Sequence, residues 1–263
     1  MKLNKIKLEI DILDFCNLNC PLCVRGIPLQ KNKKFTSLDE LERISKFIKP
    51  FEFHTIKIGG GEPTLHPQFA EICDNLKRLF PAQRYYLATN GFQLEKFKDH
   101  LQVFDIIELT EYRGRNEGVF DLAVKLNLPN LVPIRKQDYK ELEDIYQESN
   151  SLKKVNVYNR CIYRKITIII QDRIYPCCNI FGQALRQNID PDMISVPVDE
   201  NWRENLAKIS IESYCRRCFV DVPSPAKAML NETISSTGRW LRDKIKPLDK
   251  YILQKQIQRQ KNK

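Results

Sequence analysis

The chain has 263 residues, 42% of them apolar, enough for one large domain or a large and a small one with a real core. Its net charge is +10, but residues Arg239 to Lys263 hold nine Lys/Arg against two Asp, so most of the basic excess lies on a tail rather than around a nucleic-acid site. No apolar run nears the roughly 20 residues of a membrane span, and Lys5–Ile12 alternates charged and apolar side chains where a secretory signal would carry one apolar block; a cytoplasmic protein is expected.

Lys5–Ile12 repeats Ile6, Leu8, Ile10 and Ile12 every second residue and reads as a strand. Ser37-Leu38-Asp39-Glu40 is a capping-box pattern that starts a helix running to about Ile48. Thr55–Ile58 is a short strand running into Gly59-Gly60-Gly61. Pro67 then opens a helix with Phe69, Ile72, Leu76 and Leu79 on one face. Tyr85–Ala88 is strand-like and ends at the turn signal Asn90-Gly91. Ile106–Leu109, Leu131–Ile134 and Val155–Tyr158 are further strands, with helical patterns between them, the clearest from Tyr139 to Glu148. Such alternation predicts an α/β fold of βα units with a parallel sheet. Six units are too few for a closed eight-stranded barrel, so an open, partial (β/α)6 barrel is expected, with chemistry at the C-terminal ends of the strands. After Tyr158 the pattern changes. Ile166–Ile170 and Ile174–Tyr175 flank Gln171-Asp172-Arg173 as a β-hairpin. The domains expected are 1–158, 159–232 and a basic tail, 233–263.

Nine cysteines are an odd number for a disulfide framework, and in a reducing compartment clustered thiols point to metal or catalysis. Cys16, Cys20 and Cys23 fall within eight residues directly after the first strand. Three thiolates fit three corners of a cubane and leave the fourth iron open, whereas structural zinc would want a fourth ligand close by.

The spacing C-x3-C-x2-C after the first strand resembles the radical S-adenosylmethionine (radical SAM) superfamily, departing from it at Leu22, where the family most often has an aromatic residue. Gly59-Gly60-Gly61-Glu62-Pro63 after the second strand resembles the family's element for the cofactor's methionine amino group, which implies that role for Gly60, Gly61 and Glu62. Thr89-Asn90-Gly91 resembles the family's turn after strand three, and its plain reading is an ordinary turn. Glu108, Thr110 and Glu111 end the fourth strand, where the family often places ribose contacts. The resemblance implies a 4Fe–4S cluster that cleaves S-adenosylmethionine to a 5′-deoxyadenosyl radical, which takes a hydrogen atom from the substrate.

Cys161, the hairpin, Cys177-Cys178 and Cys215-Arg216-Arg217-Cys218 resemble the twitch domain, the shorter relative of the SPASM domain. They imply an auxiliary 4Fe–4S cluster on Cys161, Cys177, Cys215 and Cys218, against the rival reading of structural zinc on the same thiols. A cluster saturated by four ligands points to electron transfer. Cys73 reads as a small core residue and Cys178 as a spare thiol. His54, His66 and His100 form no ligand-like group and read as structural or surface residues. Arg135, at a strand end, suits a carboxylate or equally solvent. The basic tail reads as a solvated terminal helix, and membrane-surface contact is not favoured.

The function expected is oxidation of a small molecule, a sugar or cyclitol alcohol, with the auxiliary cluster accepting an electron and a flavodoxin or ferredoxin donating the first one. Only 15 residues precede Cys16, too few for the recognition domain that peptide-modifying relatives often carry. The alternatives are a peptide- or protein-modifying radical enzyme or epimerase and, in another class, a non-catalytic zinc-binding interaction module.

Overall fold

The computed structural model describes residues 7–21, 23–31, 33–112, 114–136, 161, 165–211 and 214, all within one compact unit, Met1–Phe219. Among them eight strands form one sheet: β1 (Lys7–Asp11), β2 (Thr55–Gly59), β3 (Arg84–Thr89), β4 (Ile106–Tyr112), β5 (Leu131–Lys136), β6 (Ile166–Ile170), β7 (Arg173–Tyr175) and β8 (Val196–Pro197). Their order is β5-β4-β3-β2-β1-β6-β7-β8. From β5 to β6 every neighbour is parallel, and β7 and β8 add on antiparallel. β5 and β8 are the two edges, so the sheet is open and has the partial-barrel form expected of the βα units. The hairpin β6–β7 continues the same sheet, with β6 beside β1. The expected strand Val155–Tyr158 and helix from Tyr139 lie outside the described residues.

The helices are α1 (Leu38–Ser45), α2 (Phe69–Leu79), α3 (Val119–Leu126), α4 (Ile180–Arg186) and α5 (Trp202–Lys208). α1 starts where the capping box places it: the Ser37 hydroxyl accepts the Glu40 N–H at 3.2 Å and the Glu40 carboxylate accepts the Ser37 N–H at 2.7 Å. It stops at Ser45, short of Ile48. α2 buries Phe69, Ile72, Leu76 and Leu79, the predicted face, together with Cys73. Each such side chain contributes roughly 1.5–3 kcal/mol of transfer free energy as an upper bound.

Strand periodicity gives the sheet two unlike faces. Leu8 and Ile10 of β1, Ile56 and Ile58 of β2, Leu87 of β3 and Ile107 and Leu109 of β4 join the residues of α1 and α2 in one buried core. The opposite face carries Lys7, Glu9 and Asp11 of β1, aligned with Thr55, Lys57 and Gly59 of β2. In a parallel sheet covered on both faces these positions would be apolar. Here one face packs α1 and α2, and the other, inner, face is polar on β1 and β2 but apolar at β6, where Ile168 and Ile170 pack with Ile180, Phe181 and Ala184 of α4.

α4, α5 and β8 carry no prediction from the sequence. Gly182 and Asn179 in and beside α4 blur its helical signal, and β8 is two residues long. α5 docks through Trp202, which is 1% exposed, stacks on Phe53 at 6.5 Å and donates its indole N–H to the Phe47 carbonyl.

Candidate cofactor site and polar inner face

The loops after β1, β2 and β3 meet at the C-terminal ends of their strands. Backbone bonds join the first two: Gly61 N–H donates to the Leu13 carbonyl at 3.0 Å and Glu62 N–H to the Phe15 carbonyl at 2.9 Å. The glycines make this approach achievable. Gly60 has φ +119°, and a Cβ on it would lie 2.4 Å from the Leu13 oxygen; a Cβ on Gly61 would lie 1.8 Å from the Phe15 oxygen. The Gly-Gly-Glu element is thereby fastened to the cysteine loop one residue before Cys16.

Glu62 is the hub. Its carboxylate, 1% exposed as a residue, accepts from Thr64 N–H at 3.1 Å, the Thr64 and Thr89 hydroxyls at 2.6 Å each, and Asn90 N–H at 2.6 Å. Burial pushes its pKa up, and these donors oppose the shift. The side chain is committed within the protein, so Glu62 orders the turn after β3. Asn90 reaches back, donating to Asn17 Oδ1 at 2.9 Å and to Cys16 Sγ at 3.5 Å. Asn116 donates to the Asn90 and Thr110 carbonyls at 2.9 Å each, tying in the end of β4. Of the site residues read from the sequence, Cys16, Gly60, Gly61, Glu62, Thr89, Asn90 and Thr110 therefore lie in one network. Glu108 lies apart from it on the inner face.

Cys20 and Cys23 belong to a turn, with Cys23 N–H donating to the Cys20 carbonyl at 3.1 Å. Among the described residues no three thiol, imidazole or carboxylate side chains are gathered in metal-binding geometry. The fit of an iron–sulfur cluster therefore rests on donor chemistry: three soft thiols on one loop, with Leu18 N–H and Asn90 Nδ2 donating to Cys16 Sγ. Burial pushes the Cys16 thiol up to about 11, so a thiolate there needs a compensating cation such as iron. These residues fit the group.

The cysteine loop also rests on α4. Arg186 donates to the Cys23 and Gly182 carbonyls, and a Cβ on Gly182 would lie 2.1 Å from the Val24 oxygen. Arg25, largely buried, pairs with Glu9 and with Asp11 at 3.1 Å and donates to the Cys178 carbonyl. The segment of Cys177 and Cys178 is thus tied to the first cysteine loop. Cys177 is half-buried; Cys178 is buried, and its thiol is raised by hydrogen bonding with Cys177 and by burial. Cys161 is half-buried. Cys215 and Cys218, and the side chain of Arg135, lie outside the described residues. Cys73 is buried in α2, as read from its apolar face. His66 bridges the Thr36 carbonyl and Gln68 N–H; His54 and His100 pair with Thr55 and Asp74.

Sequence reading did not single out Asn17, Arg25 and Asn116, or the inner-face charges other than Glu108. There Glu9 faces Lys7 at 3.5 Å and Lys57 at 3.9 Å; Lys57 faces Glu108 at 3.9 Å; and Tyr86 donates to Glu108 at 2.6 Å. Both ammonium groups lie over the Tyr86 ring, at 4.8 and 5.2 Å. The signal was present in the alternation Lys7, Glu9, Asp11, which puts charge on one face of a strand that a parallel sheet encloses.

An open parallel sheet with three thiols after its first strand and a glycine–glutamate loop after its second defines a radical SAM core. Residues 10–110 match the family model described as the radical SAM superfamily. Its cofactors are accordingly a 4Fe–4S cluster and S-adenosylmethionine. The chain is 34% identical over 92 residues to a GTP 3′,8-cyclase of Mannheimia succiniciproducens, covering 34% of this chain and 27% of the relative. It is 31% identical over 97 residues to molybdenum cofactor biosynthesis protein 1 of Drosophila melanogaster, covering 36% and 17%. These matches span less than a third of either relative's length. The fold is shared with BtrN, crystallised in complex with AdoMet and 2-DOIA, at a TM-score of 0.56 and 16% identity over 81% of this chain and 86% of that one. No helix among the described residues is long and apolar enough to cross a membrane.

Proposed function

We propose that this radical SAM enzyme oxidises a small, polar molecule bearing an alcohol, a sugar or cyclitol, with an auxiliary 4Fe–4S cluster on Cys161, Cys177, Cys215 and Cys218. The observation that carries the reading is the polar inner face beneath a helix-packed parallel sheet. Buried charges on a core-forming sheet are costly unless paired or used. Lys7, Arg25 and Lys57 each already face a carboxylate, so the face is of mixed sign and suits a hydroxyl- or amine-bearing substrate better than a polyanion.

When bound, the cofactors supply a 5′-deoxyadenosyl radical for hydrogen-atom abstraction, and the auxiliary cluster supplies a one-electron acceptor. The chain's own part is binding and order. Cys16, Cys20 and Cys23 hold the first cluster. The backbone of Gly60 and Gly61 lies against the cysteine loop and receives the methionine end of S-adenosylmethionine. Glu62, spent on Thr64, Thr89 and Asn90, holds the turn that approaches Cys16. Thr110 closes the rim through Asn116. Glu108, with Tyr86 and Lys57, lines the substrate face. A low-potential protein such as flavodoxin or ferredoxin donates the first electron, and the chain works in the cytoplasm. The domain division 1–158, 159–232 and 233–263 accompanies this reading.

Reconstituted protein is incubated under anaerobic, reducing conditions with S-adenosylmethionine and a panel of polyols, amino sugars, 2-DOIA and GTP, and products are weighed by mass spectrometry. Loss of two hydrogens from an alcohol together with 5′-deoxyadenosine supports the reading. Cyclisation of GTP, or a mass change in a peptide instead, replaces it.

A further inference from the structure

Among the described residues the inner face contains one buried carboxylate oxygen without a hydrogen-bond partner. Asp11 is the last residue of β1 and is 3% exposed. Its Oδ2 forms an ion pair with Arg25 Nε at 3.1 Å, but its Oδ1 is buried without a hydrogen-bond partner among the described residues. Such an atom forfeits its hydration and gains no bond, which native structures tolerate mainly where the atom has work to do. Gly59 lies in register beside it, and a Cβ on Gly59 would come 3.1 Å from Oδ1. Glycine at this position keeps that side of the oxygen clear.

We propose that Asp11 Oδ1 is a substrate-binding acceptor for a hydroxyl or ammonium group. The chemistry follows from the surroundings. Above pH 7, where Asp11 is ionised, its carboxylate only accepts hydrogen bonds, so its complement is a donor. Arg25 is already paired with Glu9 and with Asp11 Oδ2, so the carboxylate itself, with Glu9 and Asp14 as acidic neighbours, disfavours an anion there. The position, at the strand end where the cysteine loop begins, places the anchored donor beside the site at which the substrate is activated. This deepens the proposed function and rests on it, because it takes the inner face as the substrate face.

The test is calorimetric binding at pH 8 of myo-inositol and D-glucosamine to the anaerobic holoenzyme carrying S-adenosylmethionine, for the wild type, Asp11→Asn and Gly59→Ala. The Gly59→Ala methyl meets only Asp11 Oδ1 within 4 Å, so it crowds the acceptor without removing its charge. At least one probe is expected to bind the wild type, and each variant to bind it about tenfold more weakly or worse, the loss expected for a hydrogen bond to a charged group. Iron content and a thermal melt establish that the variants are folded; if Asp11→Asn is not, Gly59→Ala decides. Unchanged affinity in the folded variants, or no binding of either probe to the wild type, overturns the assignment. Formation of 5′-deoxyadenosine by the same wild-type sample separates the two readings: its absence defeats the proposed function, whereas its presence with unaffected binding defeats Asp11 alone.

Discussion

The backbone N–H of Asn90 donates to the Glu62 carboxylate at 2.6 Å, joining the loop after β3 to the loop after β2. Four donors converge on that one carboxylate, two of them from Thr64 and one each from Thr89 and Asn90. Glu62→Ala would leave them all buried without an acceptor. A loss of roughly 2–5 kcal/mol is expected in denaturant unfolding. Thr89→Val, which removes one donor, should cost only about 1 kcal/mol.

Two glycines lie against the cysteine loop, one at Phe15 and one at Val24. Gly61→Ala would drive a methyl into the Phe15 carbonyl, and Gly182→Ala would drive one into the Val24 carbonyl. Neither change touches a thiol. Both variants should nevertheless take up less iron than the wild type on reconstitution, read as iron per chain, with the far-ultraviolet dichroism retained. Full iron uptake by both would show that loop placement does not govern cluster assembly.

Asp11 gives stability a definite dependence on pH. Burial pushes its pKa up to about 7 from an ordinary 3.8, against the opposing pull of Arg25. The folded state therefore holds a proton that the unfolded chain releases near pH 4. Stability on this account falls as pH rises from about 4 to 7 and is level above that. Asp11→Asn, which mimics the protonated form, should gain stability relative to the wild type across that window, by a few kcal/mol at most. Parallel melts of the two proteins at pH 5, 6, 7 and 8 read the difference; a constant gap would refute the assignment.

The thiols should separate by function in an iron assay. The wild type, reconstituted anaerobically, is expected to hold about eight irons. Serine at Cys16, Cys20 or Cys23 should remove roughly four irons, and serine at Cys177 another set of roughly four. Cys73→Ser should keep all of them, since that thiol is buried in α2.

Much of this was legible in the residues because local rules and the fold agree. The Ser37–Glu40 box, the apolar face of α2 and the period of β1 each specify an element without outside help. The cysteine spacing and the glycine loop mark the site because both must lie at strand ends. Asn116 and Arg25 were hidden for a physical reason. A single asparagine or arginine has no period, and its role exists only once β3, β4 and the segment of Cys178 are side by side. Glu62 shows the same limit: its motif gives its place, but only the fold shows that its carboxylate is occupied by protein donors. α4 and β8 were missed because a seven-residue helix containing glycine and a two-residue strand are set by packing rather than by propensity.

The most direct measurement is the yield of 5′-deoxyadenosine from S-adenosylmethionine with anaerobically reconstituted, dithionite-reduced protein. Wild-type protein should release it, and serine at Cys16, Cys20 and Cys23 together should abolish the release. A colourless wild type that holds zinc and releases none would contradict the account, as would a triple variant as active as the wild type.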